Sequence, residues 1–170
     1  NSNDPSILKG YIEVAGKKAD VIITNPSGLH CEGCGIINAS GATLTTAKPQ
    51  IESGSLESFI VEKGRVKVSG TGLDNSRVDY TDIIAKEAEI NAGVWSKKKL
   101  MAITGKNTVK VRSTSNKEND LQIINTVKTK TLDEHDVPKY ALDVSALGGM
   151  YAGKVHLIGT EQGLGVRNTG

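Results

Sequence analysis

Apolar and polar residues alternate in short stretches along most of the chain, which is the pattern of half-buried β-strands. One unit of five residues recurs. Its first and third residues are apolar, its fifth residue is small, and the second and fourth can be of any type. Its copies lie at 66–70, 88–92, 101–105, 142–146 and 155–159. A second match precedes two of these copies, at 93–96 and at 149–152. The chain therefore carries an internal repeat of short strands separated by polar turns.

A repeat of this kind predicts an all-β protein of stacked coils, a β-solenoid, because each coil can bury its apolar face only against its neighbours. A β-sandwich is the alternative, since its strands alternate in the same way. Composition favours the solenoid. Aromatic residues make up 4% of the 170 residues and there are 4 prolines, so the core is aliphatic and thin.

Further strands are predicted around the repeat, and two connections between them are informative. Residues 59–62 lead through Lys63 and Gly64 into 65–70, which is typical of a hairpin or of stacked strands. The sequence Asn25-Pro26-Ser27-Gly28 follows the β-branched stretch 21–23 and is typical of a type I turn. Residues 113–139 are polar and charged, and we predict an excursion from the solenoid there, formed by an extra hairpin or a loop.

The composition excludes several classes of protein. With 37% hydrophobic and 24% charged residues, the chain is too apolar for a disordered protein, and it has no run of the roughly 20 apolar residues that a membrane-spanning helix needs. The formal net charge of +2 argues against a nucleic-acid partner. The first residues lack the basic and apolar regions of a signal peptide.

Cys31 and Cys34 are the two cysteines of the chain, and they flank Glu32-Gly33. A zinc site needs four ligands, and His30 supplies only a third candidate because the other histidines are isolated. A thioredoxin-like redox site requires a helix after the cysteines, and no helical pattern follows. The pair is therefore expected to be either a short structural disulfide or two free thiols in a tight turn.

Other candidate chemistry is weak, and we predict no catalytic residue, no metal and no cofactor. Asp74, Asp79 and Asp82 could line one surface, as the paired carboxylates of carbohydrate-cleaving enzymes do, but solvated turn residues are the simpler interpretation. The basic run 97–99 could contact anionic glycans or surfaces, although a solvated turn is again simpler. No Gly-x-Ser-x-Gly nucleophile elbow is present.

The segment Asn25 to Asn38, NPSGLHCEGCGIIN, points to a family. It resembles the Asn-Pro-Asn-Gly-Ile motif and the Cys-x-x-Cys-Gly-Phe-Ile-Asn segment of the two-partner secretion domain. That domain belongs to large exported proteins: filamentous haemagglutinins, contact-dependent inhibition toxins and haemolysins. Stretches at 72–74, 78–83, 89–95, 141–153 and 165–170 are similar to later parts of the domain. Ser27 and Leu29 differ from the motif and keep its turn chemistry.

The resemblance implies a right-handed parallel β-helix with extra-helical hairpins and a non-enzymatic role in secretion. Such a domain passes through the periplasm of a Gram-negative bacterium to the cell surface or the medium, and the periplasmic domains of an outer-membrane transporter recognise it. Its coils then nucleate β-helix folding. The turn Asn25, Pro26, Ser27 and Gly28 is expected to carry this recognition or to be a structural turn that holds two coils together. Cys31 and Cys34 are expected to form a disulfide that braces it.

The family also usually has a cap and another Asn-Pro motif upstream of this region. We therefore expect residues 1–170 to be a single β-helical domain that is a fragment of a longer secretion domain. Its open strand edges are expected to allow edge-to-edge self-association. The alternative function is that of an adhesin or a haemolysin-activating fragment that acts directly on host or target cells.

Overall fold

A computed structural model describes residues 3–111, 121–126, 140–161 and 165–169. Within these ranges the chain forms strands and no helix, so none of the described residues forms a helix long and apolar enough to cross a membrane. The strands are β1 (Ser6–Glu13), β2 (Ala19–Thr24), β3 (Leu29–Ile37), β4 (Ala39–Thr45), β5 (Lys48–Glu52), β6 (Ser55–Ile60), β7 (Arg65–Asn75), β8 (Tyr80–Ala85), β9 (Glu87–Ile90), β10 (Gly93–Ser96), β11 (Lys99–Thr104), β12 (Asn107–Lys110), β13 (Gln122–Thr126), β14 (Tyr140–Val144), β15 (Gly149–Tyr151), β16 (Lys154–Gly159) and β17 (Gly165–Asn168).

Most of these strands stack in parallel and form a β-helix with three stacks. The first and second stacks belong to one sheet, in which the long strands β1, β3 and β7 contribute to both. The beginning of β7 pairs with β9, and its end pairs with β10. The third stack is a separate sheet with the order β16-β11-β8-β4-β2. Successive coils therefore lie one above the other, as the recurring unit predicts.

The predicted units coincide with neighbouring rungs of this β-helix. Val66 of β7 pairs with Ala88 of β9, and Ala88 pairs with Leu142 of β14. The match between the two preceding stretches is confirmed in the same way, because Gly93 lies opposite Gly149. The short alternation in the sequence therefore marks one face of each coil, and its copies stack in register.

The interior of the coils is aliphatic, as the composition predicts. The buried cluster inside them contains no aromatic side chain among the described residues. Its fully or nearly buried members are Leu29, Cys31, Cys34, Leu44, Val66, Val68, Leu73, Ile83, Ala85, Ala88, Ile90, Ala92, Val94, Leu100, Ala102, Leu142 and Val144. Removing this much apolar surface from water is the main favourable contribution to folding of such a solenoid.

A third sheet covers the outer face of the third stack. It is antiparallel, with the order β13-β12-β6-β5. Phe59 and Val109 of this sheet, and Val61 directly after β6, pack onto Ile84 and the outward residues of β11. Every residue of β11 is consequently buried. This burial on both faces explains why the residues from 100 to 103 form an uninterrupted apolar stretch.

Residues 59–62 and 65–70 do not pair with each other as the sequence predicted. Strand β6 pairs with β5, which precedes it, and not with β7, which belongs to another sheet. The connection is the two-residue turn Ser53-Gly54, in which both residues have positive φ (49° and 80°). Positive φ at both central residues is the signature of a type I′ hairpin turn.

The predicted excursion at 113–139 falls mostly outside the described residues. Its described part contains β13, which pairs antiparallel with β12 at the edge of the third sheet. This part is thus a hairpin partner outside the β-helix, which is one of the two predicted forms. The limits of the excursion and the single-domain organisation over 1–170 stay predictions.

Candidate functional site

The corner between the third and first stacks carries the Asn25–Gly28 turn, which joins β2 to β3. The turn is closed by a bond from the Gly28 N–H to the Asn25 carbonyl oxygen (2.9 Å), as in a β-turn. The Asn25 N–H donates to the Thr45 carbonyl oxygen (3.1 Å), and the Ser6 N–H donates to the Gly28 carbonyl oxygen (3.0 Å). Coils on both sides therefore fix the position of the turn.

The side-chain amide of Asn25 bonds to its own chain. Its Nδ2 donates to the Asp4 carbonyl oxygen (3.0 Å) and to Ser6 Oγ (2.8 Å). Its Oδ1 accepts a bond from the Ser27 N–H (2.9 Å), which completes an Asx turn. Both donor hydrogens and one acceptor site are thus occupied, so Asn25 shapes the turn and ties the start of β1 to it.

Two glycines allow this turn to lie directly on the corresponding turn of the next coil, residues 61–64. Gly28 has φ +127°, and a Cβ there would lie 3.2 Å from the Arg65 carbonyl oxygen. Gly64 has φ +89°, and a Cβ there would lie 2.6 Å from the Pro26 carbonyl oxygen. Any other residue at 64 would be strained and would push the two turns apart. The sequence analysis placed Gly64 in a connection between two strands but did not identify its contact with the Asn25–Gly28 turn.

An open groove of about 640 Å³ runs beside the turn along this corner. We name it the basic groove. Its walls include the turn residues Ser27 and Gly28 and the adjacent His30. Its charged lining residues are Glu62, Lys63, Arg65, Lys67, Lys86, Glu87 and Lys106. Five basic side chains therefore face two acidic ones.

Ion pairs neutralise some of the basic side chains of the groove. Arg65 lies 2.9 Å from Glu87 and 3.1 Å from Glu89, and these carboxylates raise the pKa of its guanidinium. Burial opposes ionisation of Glu89, but bonds from Lys67 and other donors hold its pKa below the usual value. Lys86 pairs with Glu87 at 3.1 Å. The pairs of Arg65 join the neighbouring coils of β7 and β9, whereas Lys86 and Glu87 are adjacent in the sequence.

Glu62 lies at the edge of the basic groove. Its carboxylate pairs with Lys48 at 2.6 Å, and this hydrogen bond lowers the pKa of Glu62. The positive charges of Lys63 and Lys106 lower this pKa further. Within the described part of the chain, Lys63 and Lys106 form no ion pair of their own. The groove therefore has two cationic groups available to an anionic partner.

Cys31 and Cys34 form a disulfide inside β3, with Cα atoms 5.4 Å apart. Both cysteines belong to the aliphatic core of the coils. The register between β3 and β7 shifts between Glu32 and Cys34, so the disulfide spans the bulge where β3 passes from the first stack to the second. It braces this bend, beyond the end of the Asn25–Gly28 turn.

The described residues contain no group of three His, Cys, Asp or Glu side chains that could hold a metal ion. His30, the third ligand weighed for zinc, lies 2.7 Å from Ser69 Oγ through its Nε2. The disulfide occupies both cysteine sulfur atoms.

The three aspartates weighed as a carboxylate site have different surroundings. Asp74 accepts bonds from the Tyr11 hydroxyl (3.0 Å) and the Ser76 N–H (3.1 Å). Asp79 pairs with Lys97 (3.5 Å) and Lys98 (3.3 Å), so the basic run 97–99 is partly neutralised. Asp82 is buried within β8. The corner at Asn25 is the larger candidate site, and its backbone groups and cations suit the binding of a polypeptide or an anionic group.

The whole chain is similar to known proteins. Residues 1–170 match the family model described as TPS secretion domain, where TPS denotes two-partner secretion. The protein named Toxin CdiA of Yersinia pestis is 48% identical over 170 residues, which are 100% of this chain and 5% of that protein. The tRNA nuclease CdiA-2 of Burkholderia pseudomallei (strain 1026b) is 40% identical over 171 residues, again 100% of this chain and 5% of the relative. The chain thus spans a small part of these curated relatives.

A solved structure agrees with these matches. The crystal structure of a filamentous hemagglutinin secretion domain superposes on the chain with a TM-score of 0.76 and 30% sequence identity. The superposition covers 99% of this chain and 55% of the other.

Proposed function

The chain belongs to the family of TPS secretion domains, and we propose that the periplasmic domains of an outer-membrane transporter recognise it at the corner formed by Asn25, Pro26, Ser27 and Gly28. The family and the toxin relative indicate a secreted or cell-surface exoprotein of a Gram-negative bacterium. The observation that carries the proposal is the match to a secretion domain over residues 1–170.

The geometry of the turn supports a specific form of recognition. Because the amide of Asn25 is engaged within the chain, the transporter reads the backbone shape of the turn and the outer surface of Pro26 and Ser27. The bonds from the Gly28 N–H and the Ser27 N–H to Asn25 are local, so the turn can form before the coils stack. A preorganised surface loses little conformational entropy on binding, which favours affinity.

The β-helix supports the second part of the proposal, which concerns the route of export. The chain crosses the periplasm and the transporter, and extended segments bind the transporter by strand addition. Its coils then fold at the cell surface, where each finished coil offers paired strand edges to the next. The disulfide in β3 suits passage through an oxidising compartment.

We further propose that this segment takes no part in catalysis. The nuclease activity printed in the name of the Burkholderia pseudomallei relative belongs to that protein, of which this chain matches 5%. The corner site contains a turn, a groove and ion pairs, and the proposed role requires binding alone.

Calorimetric titration of the chain with the periplasmic domains of its cognate transporter, at moderate salt, tests the proposal. We expect a dissociation constant in the micromolar range or tighter, that is, about −8 kcal/mol or more favourable. Ser27→Arg places a large cation on the outer surface of the turn without removing Asn25, and we expect it to weaken binding at least about tenfold.

A matched control is available at another turn that begins with asparagine, Asn75 to Val78. Ser76 is exposed there, and Ser76→Arg adds the same charge and bulk at a different corner. We expect its affinity to stay within about twofold of the unsubstituted chain. Absence of binding by the unsubstituted chain would refute the proposal, and equal losses in both variants would refute the role of the Asn25 turn.

A further inference from the structure

Aromatic side chains gather on one outer face of the β-helix. The chain contains one Trp, four Tyr and one Phe, and only the Phe is buried. Three of the others lie in one row on the second stack, where strand pairing places side by side Tyr11, Gly35, Asp74, Trp95 and Tyr151. We name the three rings with Asp74 the aromatic row. Half of the aromatic residues of an aromatic-poor chain therefore lie together outside the core.

The alternation of the strands turns this row toward solvent. Cys34, Leu73 and Val94 precede row positions in their strands and point into the aliphatic core, so the following residues point outward. Tyr11 is 60% exposed and Tyr151 is 55% exposed. The row is thus an accessible surface of the folded coils.

Glycines let the rings of the row lie against the backbone of the sheet. The glycine positions beneath the rings are Gly35 for Tyr11, Gly93 for Trp95 and Gly149 for Tyr151. A Cβ at any of these three positions would lie within 2.6 Å of an atom of the overlying side chain. Each ring therefore fills space that another residue would occupy, and the side away from the backbone is open to a ligand.

Trp95 and Tyr151 are held in place before any ligand binds. Their ring centroids are 5.6 Å apart and their planes differ by 12°, which is a stacked arrangement. Such pairs stabilise each other beyond the area that they bury. The two rings consequently form one continuous flat apolar surface across two neighbouring coils, and binding costs little ordering of side chains.

Polar groups continue the row at its centre. A pocket of about 210 Å³ is lined by Tyr11, Ile36, Ile37, Asp74, Ser76 and Arg77. The Asp74 carboxylate accepts bonds from the Tyr11 hydroxyl (3.0 Å) and the Ser76 N–H (3.1 Å). A carboxylate has about four acceptor positions, so Asp74 can accept further bonds. Arg77 is exposed beside it and adds donors.

We propose that the aromatic row and this pocket bind a neutral glycan, with sugar rings packed against Trp95 and Tyr151 and sugar hydroxyls bonded to Asp74 and Arg77. A sugar ring presents C–H groups on its faces and hydroxyls at its rim. The negative face of an aromatic ring attracts the C–H groups, and the carboxylate accepts from the hydroxyls. An acidic sugar would be repelled by Asp74 at the centre of the row.

This site belongs to the folded domain and goes beyond the proposed function. The row combines residues from β1, β7, β10 and β15, so it forms only when the coils have stacked. It therefore acts after export, at the cell surface or in the medium, and is independent of recognition by the transporter.

The geometry favours a glycan over a peptide. Strand β10 is paired on both sides, with β7 and with β15, so its backbone groups are not available to an added strand. Trp95 and Tyr151 stack on each other, which leaves no slot between them for a proline ring of a proline-rich peptide.

Fluorescence gives a direct test, because Trp95 is the single tryptophan of the chain. The folded chain is titrated with maltohexaose, cellohexaose and chitohexaose as neutral probes, and with hexagalacturonate as an acidic probe. We expect at least one neutral hexamer to change the emission of Trp95, with a dissociation constant of about 1 mM or tighter. Binding of the acidic hexamer should be at least about tenfold weaker.

Variants locate the binding on the row. Tyr151→Ala should weaken binding by about tenfold or more, whereas Tyr151→Phe keeps the ring and should stay within about threefold. Asp74→Asn should weaken binding by about fivefold, because bonds to a charged acceptor are stronger. Tyr140→Ala is the matched control, since it removes a tyrosine from β14 of the first stack, and we expect a change within about twofold. Calorimetry measures each affinity, and melting temperatures establish that each variant is folded.

Several results would overturn the inference. Failure of all three neutral hexamers to bind would refute a neutral glycan site. Equal losses in Tyr151→Ala and Tyr140→Ala would remove the site from the row. Tighter binding of hexagalacturonate would refute the neutral class, and binding of a deca-proline peptide in place of the sugars would reassign the row to a protein partner. Each of these outcomes leaves transporter binding unaffected, so this inference and the proposed function fail separately.

Discussion

Two turns that begin with asparagine lie at different corners of the same β-helix. The side-chain amide of one is partly accessible to solvent, and that of the other is buried. Asn25 is half-buried and bonds to the exposed start of the chain through Asp4 and Ser6. Asn75 is fully buried, accepts a bond from the Ile36 N–H (3.0 Å) and donates to Thr81 Oγ1 (3.2 Å). Both residues open a β-turn closed by a 2.9 Å backbone bond.

The Asn25 and Asn75 turns differ in whether water can replace the hydrogen bonds of the asparagine side chain. If Asn25 is lost, solvent reaches most of the groups that it served. If Asn75 is lost, the Ile36 N–H and Thr81 hydroxyl remain buried without that partner, which costs more than an ordinary hydrogen bond. The same residue type therefore stabilises the fold at one corner and shapes an accessible surface at the other.

The largest expected effect is on stability at the buried turn. Asn75→Ala should lower the free energy of unfolding by about 2–3 kcal/mol, because buried polar groups lose their partner. Urea unfolding followed by circular dichroism measures this change. Ser76→Ala, next to it and exposed, should change stability by less than about 0.5 kcal/mol. A loss below that value for Asn75→Ala would contradict the distinction between the two turns.

The disulfide lies within β3, which connects the two turns. Strand β3 begins directly after Gly28 of the first turn, and the N–H of Ile36 near its end donates to the side chain of Asn75 in the second turn. The loop that it closes is short, so replacing both cysteines by alanine should lower stability by only about 1–2 kcal/mol. Transporter affinity should stay within about twofold. Identical melting temperatures for oxidised and reduced chain would contradict a stabilising role.

Substitution at the accessible turn should have the reverse profile. Asn25→Ala removes the bonds that define the turn, so we expect about tenfold weaker transporter binding, equivalent to about 1.4 kcal/mol. Stability should fall by about 1 kcal/mol, because solvent takes over part of the lost bonding. Calorimetry and urea unfolding of the same preparation measure both quantities. If stability fell as much as in Asn75→Ala and binding did not change, the two turns would have the same role.

The smallest expected effect concerns pH at the buried turn. Hydrogen bonds from Ser76, and also from the Tyr11 hydroxyl, hold the pKa of Asp74 below its ordinary value of 3.8. A carboxyl with a lowered pKa stabilises the fold above its unfolded-state pKa, and this contribution disappears as pH falls through the folded-state pKa. Asp74→Asn should therefore reduce the loss of stability on acidification below about pH 4. Acid titration followed by fluorescence of Trp95 measures the slope, and an unchanged slope would contradict the assignment.

The sequence predicted the β-helix well because a coil with one buried face alternates strictly. Val66 and Val68 point inward from β7, and Ala88 and Ile90 do so from β9, so the spacing visible in the sequence is the spacing in the core. The antiparallel third sheet was predicted less well. Its strand β5 includes Pro49 and is mostly exposed, so neither composition nor alternation marks it. Ser53-Gly54, the turn between β5 and β6, is the feature of the sequence that could have indicated this hairpin.

The candidate site was predicted in part. The Asn25–Gly28 turn is local, and Asn, Pro and Gly at their positions are sufficient to indicate it. The basic groove is not local. Lys63 and Lys106 are far apart in sequence and meet only because two coils turn at the same corner. Lys63, Arg65 and Lys67 are close in sequence, but Lys86 and Lys106 join them only through the stacking of the coils.

The hairpin of β5 and β6 leaves and rejoins the coil path without disturbing it, since β3 still pairs in parallel with β7 across the hairpin. At its tip, a Cβ on Gly54 would meet nothing within 4 Å, and Ile51 nearby is 66% exposed. A peptide epitope inserted between Ser53 and Gly54 would therefore project away from both the turn and the stacked rungs. The tip is a place where the folded domain can be labelled on living cells, so that its arrival at the surface could be timed.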